Sequence, residues 1–252
     1  MIWMTLIGLG LVAGLVITDD GDDTSGNSSL NVDGSEDADQ IFGGSGNDIL
    51  SGGDGDDSLM GLDGSDLLSG GEGDDVIEAG NGQDILFGQD GDDTLDGGGD
   101  TDLLIDGSGT DQINGGDGDD VIFASGFMDE QATVDLITNP PADLTANDVI
   151  DTLNMNFSQD TDTEGDIVDG GDGNDVMFAG VGDTVTGGEG EDTFYTGHWT
   201  EGNEATVITD FTEGEDLLVY GYDASQPELI MTMLAEANSS GGTDAVIMAD
   251  GN

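Results

Sequence analysis

The chain has 252 residues, of which 58 are Asp or Glu and none is Lys or Arg, for a formal charge of −58 at pH 7. With no basic side chain to neutralise phosphate, the composition argues against nucleic acid as a partner, and anionic lipid surfaces repel it. It has no cysteine, one histidine and 46 glycines. No H-E-x-x-H or G-x-S-x-G occurs, and His198 falls in a polar turn, so the chain reads as a non-enzyme.

Residues 1–17, MIWMTLIGLGLVAGLVI, form an uncharged apolar run that ends at Thr18-Asp19-Asp20. Its length is at the short limit for a membrane-spanning helix. A secretory signal carries a basic n-region and a small-residue cleavage site; this run has neither. An uncleaved N-terminal membrane helix is the preferred reading, with a cleaved signal and a buried core strand or helix as alternatives. Residues 18–33, TDDGDDTSGNSSLNVD, read as a flexible acidic linker.

The next region is a repeat. Residues 43–123 divide into nine segments of nine residues, beginning GGSGNDILS and GGDGDDSLM and closing with GGDGDDVIF. The sixth position is always aspartate: Asp48, Asp57, Asp66, Asp75, Asp84, Asp93, Asp102, Asp111 and Asp120. The eighth is always Leu or Ile, from Leu50 to Ile122. Gly34, Asp39 and Ile41 keep the register for one degenerate unit further back.

Such a unit splits into a glycine-rich hexapeptide that turns and a three-residue extended piece. Period-two alternation sends position eight inward and positions seven and nine outward. Glycines let the turn reach positive φ and bring carbonyl oxygens together, and the fixed Asp adds a hard anionic oxygen. Oxygen clusters of this kind suit Ca²⁺, which accepts six to eight oxygens. The units match G-G-x-G-x-D-x-U-x, and the chain resembles the RTX, or hemolysin-type, calcium-binding repeat proteins.

The resemblance implies a right-handed parallel β-roll with two nonapeptides per turn. It places calcium ions between loops of successive turns, held by the sixth-position aspartates and main-chain oxygens. That gives about seven or eight ions over residues 34–123, four on one side and three on the other with an eighth through Asp39. Several residues depart from the motif. Leu62 and Gln89 replace the second glycine, Ala79 and Asp106 the first, and Asp100 the fourth; each is expected to weaken its loop, Asp100 most, because a side chain there must adopt a glycine-like conformation.

Sorting the outward positions by side separates two faces. Units one, three, five, seven and nine present Ile49, Leu67, Ile85, Leu103 and Val121 at position seven, and Ser51, Ser69, Phe87, Ile105 and Phe123 at position nine. The opposite sheet is mostly polar. An apolar stripe this long is either covered by another part of the chain or is a docking face for a partner or a second copy.

The repeat breaks at Ala124. Residues 124–165 contain Pro140-Pro141, then Val149, Ile150, Leu153 and Phe157 at helical spacing behind a Thr145 cap, which predicts a short amphipathic helix suited to covering the stripe. Asp160, Asp162, Glu164 and Asp166 resemble the start of an EF-hand loop, but Gly171 stands where its bidentate Glu belongs; a solvated acidic loop is the default. The nonapeptide returns over 166–195, with GGDGNDVMF, the eight-residue AGVGDTVT and GGEGEDTFY. There Asp175 and Asp192 are expected to face each other and hold about one more calcium ion. Over 196–252, ATVITDF, DLLVYGY, PELIMTML and TDAVIMA read as strands of a β-cap. Asp250-Gly251-Asn252 resembles a hairpin turn with no return strand, so the natural chain is expected to extend further.

The fold class read from the sequence is therefore all-β. It comprises a parallel β-roll solenoid with a short helical insertion, a C-terminal β-cap and an N-terminal apolar helix. The function read from it is that of a calcium-binding structural or interaction protein, outside a bacterial cell or on its surface, membrane-tethered through residues 1–17 and folded by its ions. Two alternatives stand beside it: an accessory subunit docked on a larger membrane complex, and the folding module of an enzyme whose catalytic part lies outside this chain.

Overall fold

The computed structural model describes residues 16–17, 29–125, 164–197, 205–221, 230–237 and 243–250. Within the repeat each strand runs from position seven of one unit to position three of the next. The strands are β1 (Val16–Ile17), β2 (Asn31–Ser35), β3 (Gln40–Gly44), β4 (Ile49–Asp54), β5 (Ser58–Asp63), β6 (Leu67–Glu72), β7 (Val76–Asn81), β8 (Ile85–Asp90), β9 (Thr94–Gly99), β10 (Leu103–Ser108), β11 (Gln112–Asp117) and β12 (Val121–Ala124). Beyond the insertion follow β13 (Ile167–Asp172), β14 (Val176–Ala179), β15 (Thr184–Glu189), β16 (Thr193–Gly197), β17 (Val207–Ile208), β18 (Leu217–Gly221), β19 (Ile230–Ala237) and β20 (Thr243–Asp250). Among the described residues there is no helix, and the helix expected over 145–157 lies outside them.

Alternate strands belong to opposite sheets. One has the order β1-β3-β5-β7-β9-β11-β13-β15-β17-β20-β19, the other β18-β16-β14-β12-β10-β8-β6-β4-β2. Neighbours in the roll are parallel and offset by two units: Leu50 pairs with Leu68, Leu68 with Leu86 and Leu86 with Leu104. This is the two-sheet parallel solenoid that the family resemblance implies. The insertion does not interrupt it. Gln112 pairs with Ile167 and Val121 with Val176, so the second block stacks directly on the first.

Position eight forms the core. Leu50, Leu59, Leu68, Ile77, Leu86, Leu104 and Ile122 have no exposed surface, and Ile41, Val168, Met177, Val185 and Phe194 extend the same column. Each such side chain contributes roughly 1.5–3 kcal/mol relative to an exposed one. At the far end the strands expected for the cap are present. β18 adds in parallel to β16, while β17 pairs antiparallel with β20 and β20 with β19.

One expectation needs correction, and one pair of alternatives narrows. Val16 and Ile17, the end of the apolar run assigned to a membrane helix, pair in parallel with Gln40 and Ile41; at these two residues a strand stands in place of the expected helix. Residues 1–15 lie outside the described ones, and no described helix is long and apolar enough to cross a membrane. The apolar stripe is not an open face, in keeping with the first of its two alternatives. Leu67, Ile85, Phe87, Leu103, Ile105 and Phe123 are all buried within the chain, with only Ile49 and Val121 partly exposed. Covering by the chain itself is therefore the alternative that holds. Along the stripe Phe123 stacks on Phe178 at 4.4 Å and Phe178 on Tyr195 at 4.6 Å, close to the spacing between neighbouring strands.

Candidate metal centre

The turns that join the two sheets carry the sixth-position aspartates, and the parallel register stacks those of every second unit into a ladder. The N–H of Asp48 donates to Oδ1 of Asp66 at 2.7 Å, that of Asp66 to Asp84 at 2.7 Å, and that of Asp84 to Asp102 at 2.8 Å. The series continues through Asp120, Asp175 and Asp192. On the other side the N–H of Asp57 donates to Asp75, that of Asp75 to Asp93 and that of Asp93 to Asp111. Every predicted ligand, Asp48 to Asp120 with Asp175 and Asp192, thus stands in one of two buried ladders.

Each carboxylate uses Oδ1 for the ladder. The second oxygen of Asp57, Asp66, Asp75, Asp84, Asp93, Asp102, Asp120 and Asp175 is buried and accepts no hydrogen bond. A buried acceptor without a partner costs about 1–3 kcal/mol, more if charged. Charge is the larger problem, because no Lys or Arg exists anywhere in the chain to offset it. Burial, partly opposed by the ladder hydrogen bonds, pushes the carboxyls of Asp66, Asp75, Asp93 and Asp175 up to about 7 and that of Asp102 to about 8.

The motif's first glycine is explained by the same oxygens. A Cβ on Gly97 would lie 2.5 Å from Asp102 Oδ2 and 2.6 Å from the carbonyl oxygen of Gly115; one on Gly88 would meet Asp93 Oδ2 at 2.5 Å and the Asp106 carbonyl at 2.6 Å. A carboxylate oxygen and a main-chain oxygen from the next turn therefore converge at the place where the side chain is missing. This donor set is oxygen only, anionic and short of positive charge, and it fits Ca²⁺. Aspartates in both ladders, with carbonyls of the glycine-rich turns, would hold such ions, which would supply the missing counter-charge.

Three non-glycine residues take the left-handed conformation: Leu62 at φ 83°, Gln89 at 83° and Asp100 at 77°. They are the replacements of the second and fourth glycines, and their loops keep the ladder. Ala79 and Asp106, at the first position, have no positive φ.

The ladders also include residues outside the predicted set. Asp39 precedes Asp57, its N–H donating at 2.7 Å. Asp111 N–H donates to Asp166, and Asp166 N–H to Asp183, at 2.8 and 3.1 Å. Asp166 thus belongs to the roll, as the partner of Asp183 that the spacing of the second block also offers, and not to an EF-hand-like loop. Counting nine residues back from Gly170 places Asp166 at position six and Val168 at position eight. Asp216 ends the first ladder by accepting the Asp192 N–H at 3.2 Å, and Asp210 accepts from the N–H groups of Gly187 and Gly188 at 2.8 Å. Nothing in the nonapeptide pattern marks these two, which sit in the cap.

A family model of the RTX calcium-binding nonapeptide repeat (4 copies) matches residues 33–68, 60–95, 69–104, 96–127, 161–183 and 182–197. No curated protein and no solved structure matches the chain.

Proposed function

For this chain, which belongs to the RTX calcium-binding nonapeptide repeat family, we propose the role of a calcium-folded structural protein working outside the cell. Calcium binding follows from the family. The finer reading is supported by one observation: two ladders of buried aspartates in which the second oxygens of Asp57, Asp66, Asp75, Asp84, Asp93, Asp102, Asp120 and Asp175 accept no hydrogen bond, in a chain with no basic residue. Extracellular calcium-binding modules have Kd values on the order of 10⁻⁴–10⁻³ M, so a roll of this strength is unfolded at cytosolic calcium and folded outside. Each bound ion adds about 1.4 kcal/mol when calcium is roughly tenfold over Kd. The stacking of the second block on the first extends the proposed sites through the Asp111–Asp166 and Asp120–Asp175 steps, beyond those counted within each block.

Burial of the apolar stripe favours a protein that presents its acidic turns and polar sheet over one that self-associates through Phe87 and Ile105. The test is a calcium titration of the full chain, read by circular dichroism and by light scattering after size exclusion. A coil-to-β transition near millimolar calcium giving a monomer supports this reading. A transition that ends in a dimer or larger species would return the stripe to a docking role, and no transition would refute calcium-dependent folding.

A further inference from the structure

We propose that Asp106 makes the turn it opens a divalent-cation site of higher charge than its neighbours, with Asp106, Asp111 and Asp166 each giving one carboxylate oxygen to a single Ca²⁺. Two of these are ladder aspartates; the third is not part of the repeat's pattern. Asp106 stands at position one, where the neighbouring units at 88, 97 and 115 carry glycine. It follows Leu104 by two residues in β10, and the strand's alternation turns both inward. The extra carboxyl is therefore carried to the point where a carboxylate oxygen and the next turn's carbonyl converge in the other units.

The geometry suits one ion. One carboxylate oxygen from each of the three residues lies within 4.8 Å of the others, and all three residues are buried. Oxygens on opposite sides of a Ca²⁺ with bonds of 2.3–2.6 Å stand about 4.6–5.2 Å apart. Asp106 itself has no exposed surface. Its Oδ1 accepts the Gly107 N–H at 2.5 Å, and its Oδ2, equally buried, accepts no hydrogen bond. Three buried carboxyls in a chain without Lys or Arg take their counter-charge from solution. Calcium affinity in oxygen sites rises with ligand charge, so this site fills before the others. It is also the step at which β13 joins β11 across the insertion, so the tightest ion fastens the two blocks together.

This inference rests on the calcium reading of the roll, and the experiment separates the two. Calcium binding to the full chain is measured by isothermal titration and by competition with a chromophoric chelator, for the wild type, Asp106→Gly and Asp106→Asn. Asp106→Gly restores the motif and keeps the remaining sites. The expected result is one site in the wild type at least about tenfold tighter than the rest, absent from both variants, while calcium-dependent folding persists. An unchanged tightest class in Asp106→Gly, or tighter binding there, would overturn the role of Asp106 and make it an obstruction. Absence of calcium binding in the wild type would instead overturn the underlying reading.

Discussion

In calcium-free buffer, raising the pH should unfold the roll. Burial raises the folded-state carboxyls of Asp66, Asp75, Asp93 and Asp175 from 3.8 to about 7, Asp102 to about 8, and Asp84 and Asp120 to about 6; the ladder hydrogen bonds oppose the rise, and neighbouring carboxylates add to it in all seven. A carboxyl whose pKa is higher folded than unfolded holds its proton more tightly in the folded chain. Its contribution is complete below the unfolded value near 4 and is lost as pH rises through 6 to 8. For Asp66 alone the shift corresponds to about 4 kcal/mol lost by about pH 8.5. Neighbouring carboxyls titrate together and do not simply add, but two such losses rival the whole stability of a typical domain, about 5–15 kcal/mol. Circular dichroism and small-angle scattering of the chelator-treated chain at about pH 5.5 and about pH 8.5 should show a compact β-fold at the lower pH and a coil at the higher. High salt should not restore the fold at the higher pH, since salt screens surface repulsion but not burial, whereas millimolar calcium should. A metal-free chain equally folded at both pH values, or more folded at the higher, would refute the reasoning.

Gly97→Ala places a methyl group 2.5 Å from Asp102 Oδ2 and 2.6 Å from the Gly115 carbonyl. It should cost the calcium-loaded roll about 1–3 kcal/mol and lower calcium stoichiometry, read by thermal unfolding and equilibrium dialysis; an unchanged melting temperature would contradict the crowding argument. Leu62→Gly removes a side chain held at φ 83° and 47% exposed. Relief of about 1–2 kcal/mol of left-handed strain exceeds glycine's entropic cost of about 0.5–1 kcal/mol, so denaturant unfolding in saturating calcium should show a gain of up to about 1 kcal/mol.

The repeat makes the solenoid legible because its two invariant columns each answer one physical demand. Position eight is the inward site that carries a large apolar side chain in every unit, and position six is where the turn presents a carboxylate to the next turn. Any register slip would expose Leu68 or misplace Asp66, so the spacing determines strand pairing, sheet membership and ladder together. The positive φ of Leu62, Gln89 and Asp100 was legible on the same ground. What lay outside the pattern was less so. Asp106 reads as a defect when only the glycine column is considered, and its inward aim appears only once β10 is placed. Asp166 is masked by an insertion of unrelated sequence, and Asp210 and Asp216 belong to a cap with no repeat. Val16 and Ile17 illustrate the limit of hydropathy: an apolar run suits a bilayer and a solenoid edge equally well.

The ends of the ladders differ from their middle in a way that bears on how calcium controls the fold. Oδ2 of Asp39 accepts from the N–H of Ser35 at 2.8 Å and pairs with its hydroxyl at 2.9 Å. Oδ2 of Asp183 accepts the Gly180 N–H, and Oδ2 of Asp216 the Thr212 N–H, both at 2.5 Å. At these termini the second carboxylate oxygen is satisfied by the protein, while that of Asp57, Asp66, Asp75, Asp84, Asp93, Asp102, Asp120 and Asp175 has no hydrogen-bond partner. The last turns therefore carry a smaller penalty without metal than the central ones, where each unneutralised carboxylate faces another one turn away. Calcium dependence should therefore be concentrated in the centre of the roll. Because every central aspartate hydrogen-bonds to the next, an ion that fixes one turn also positions the oxygen of its neighbour, so central sites should fill and fold as a cooperative unit between ends that the chain closes by itself.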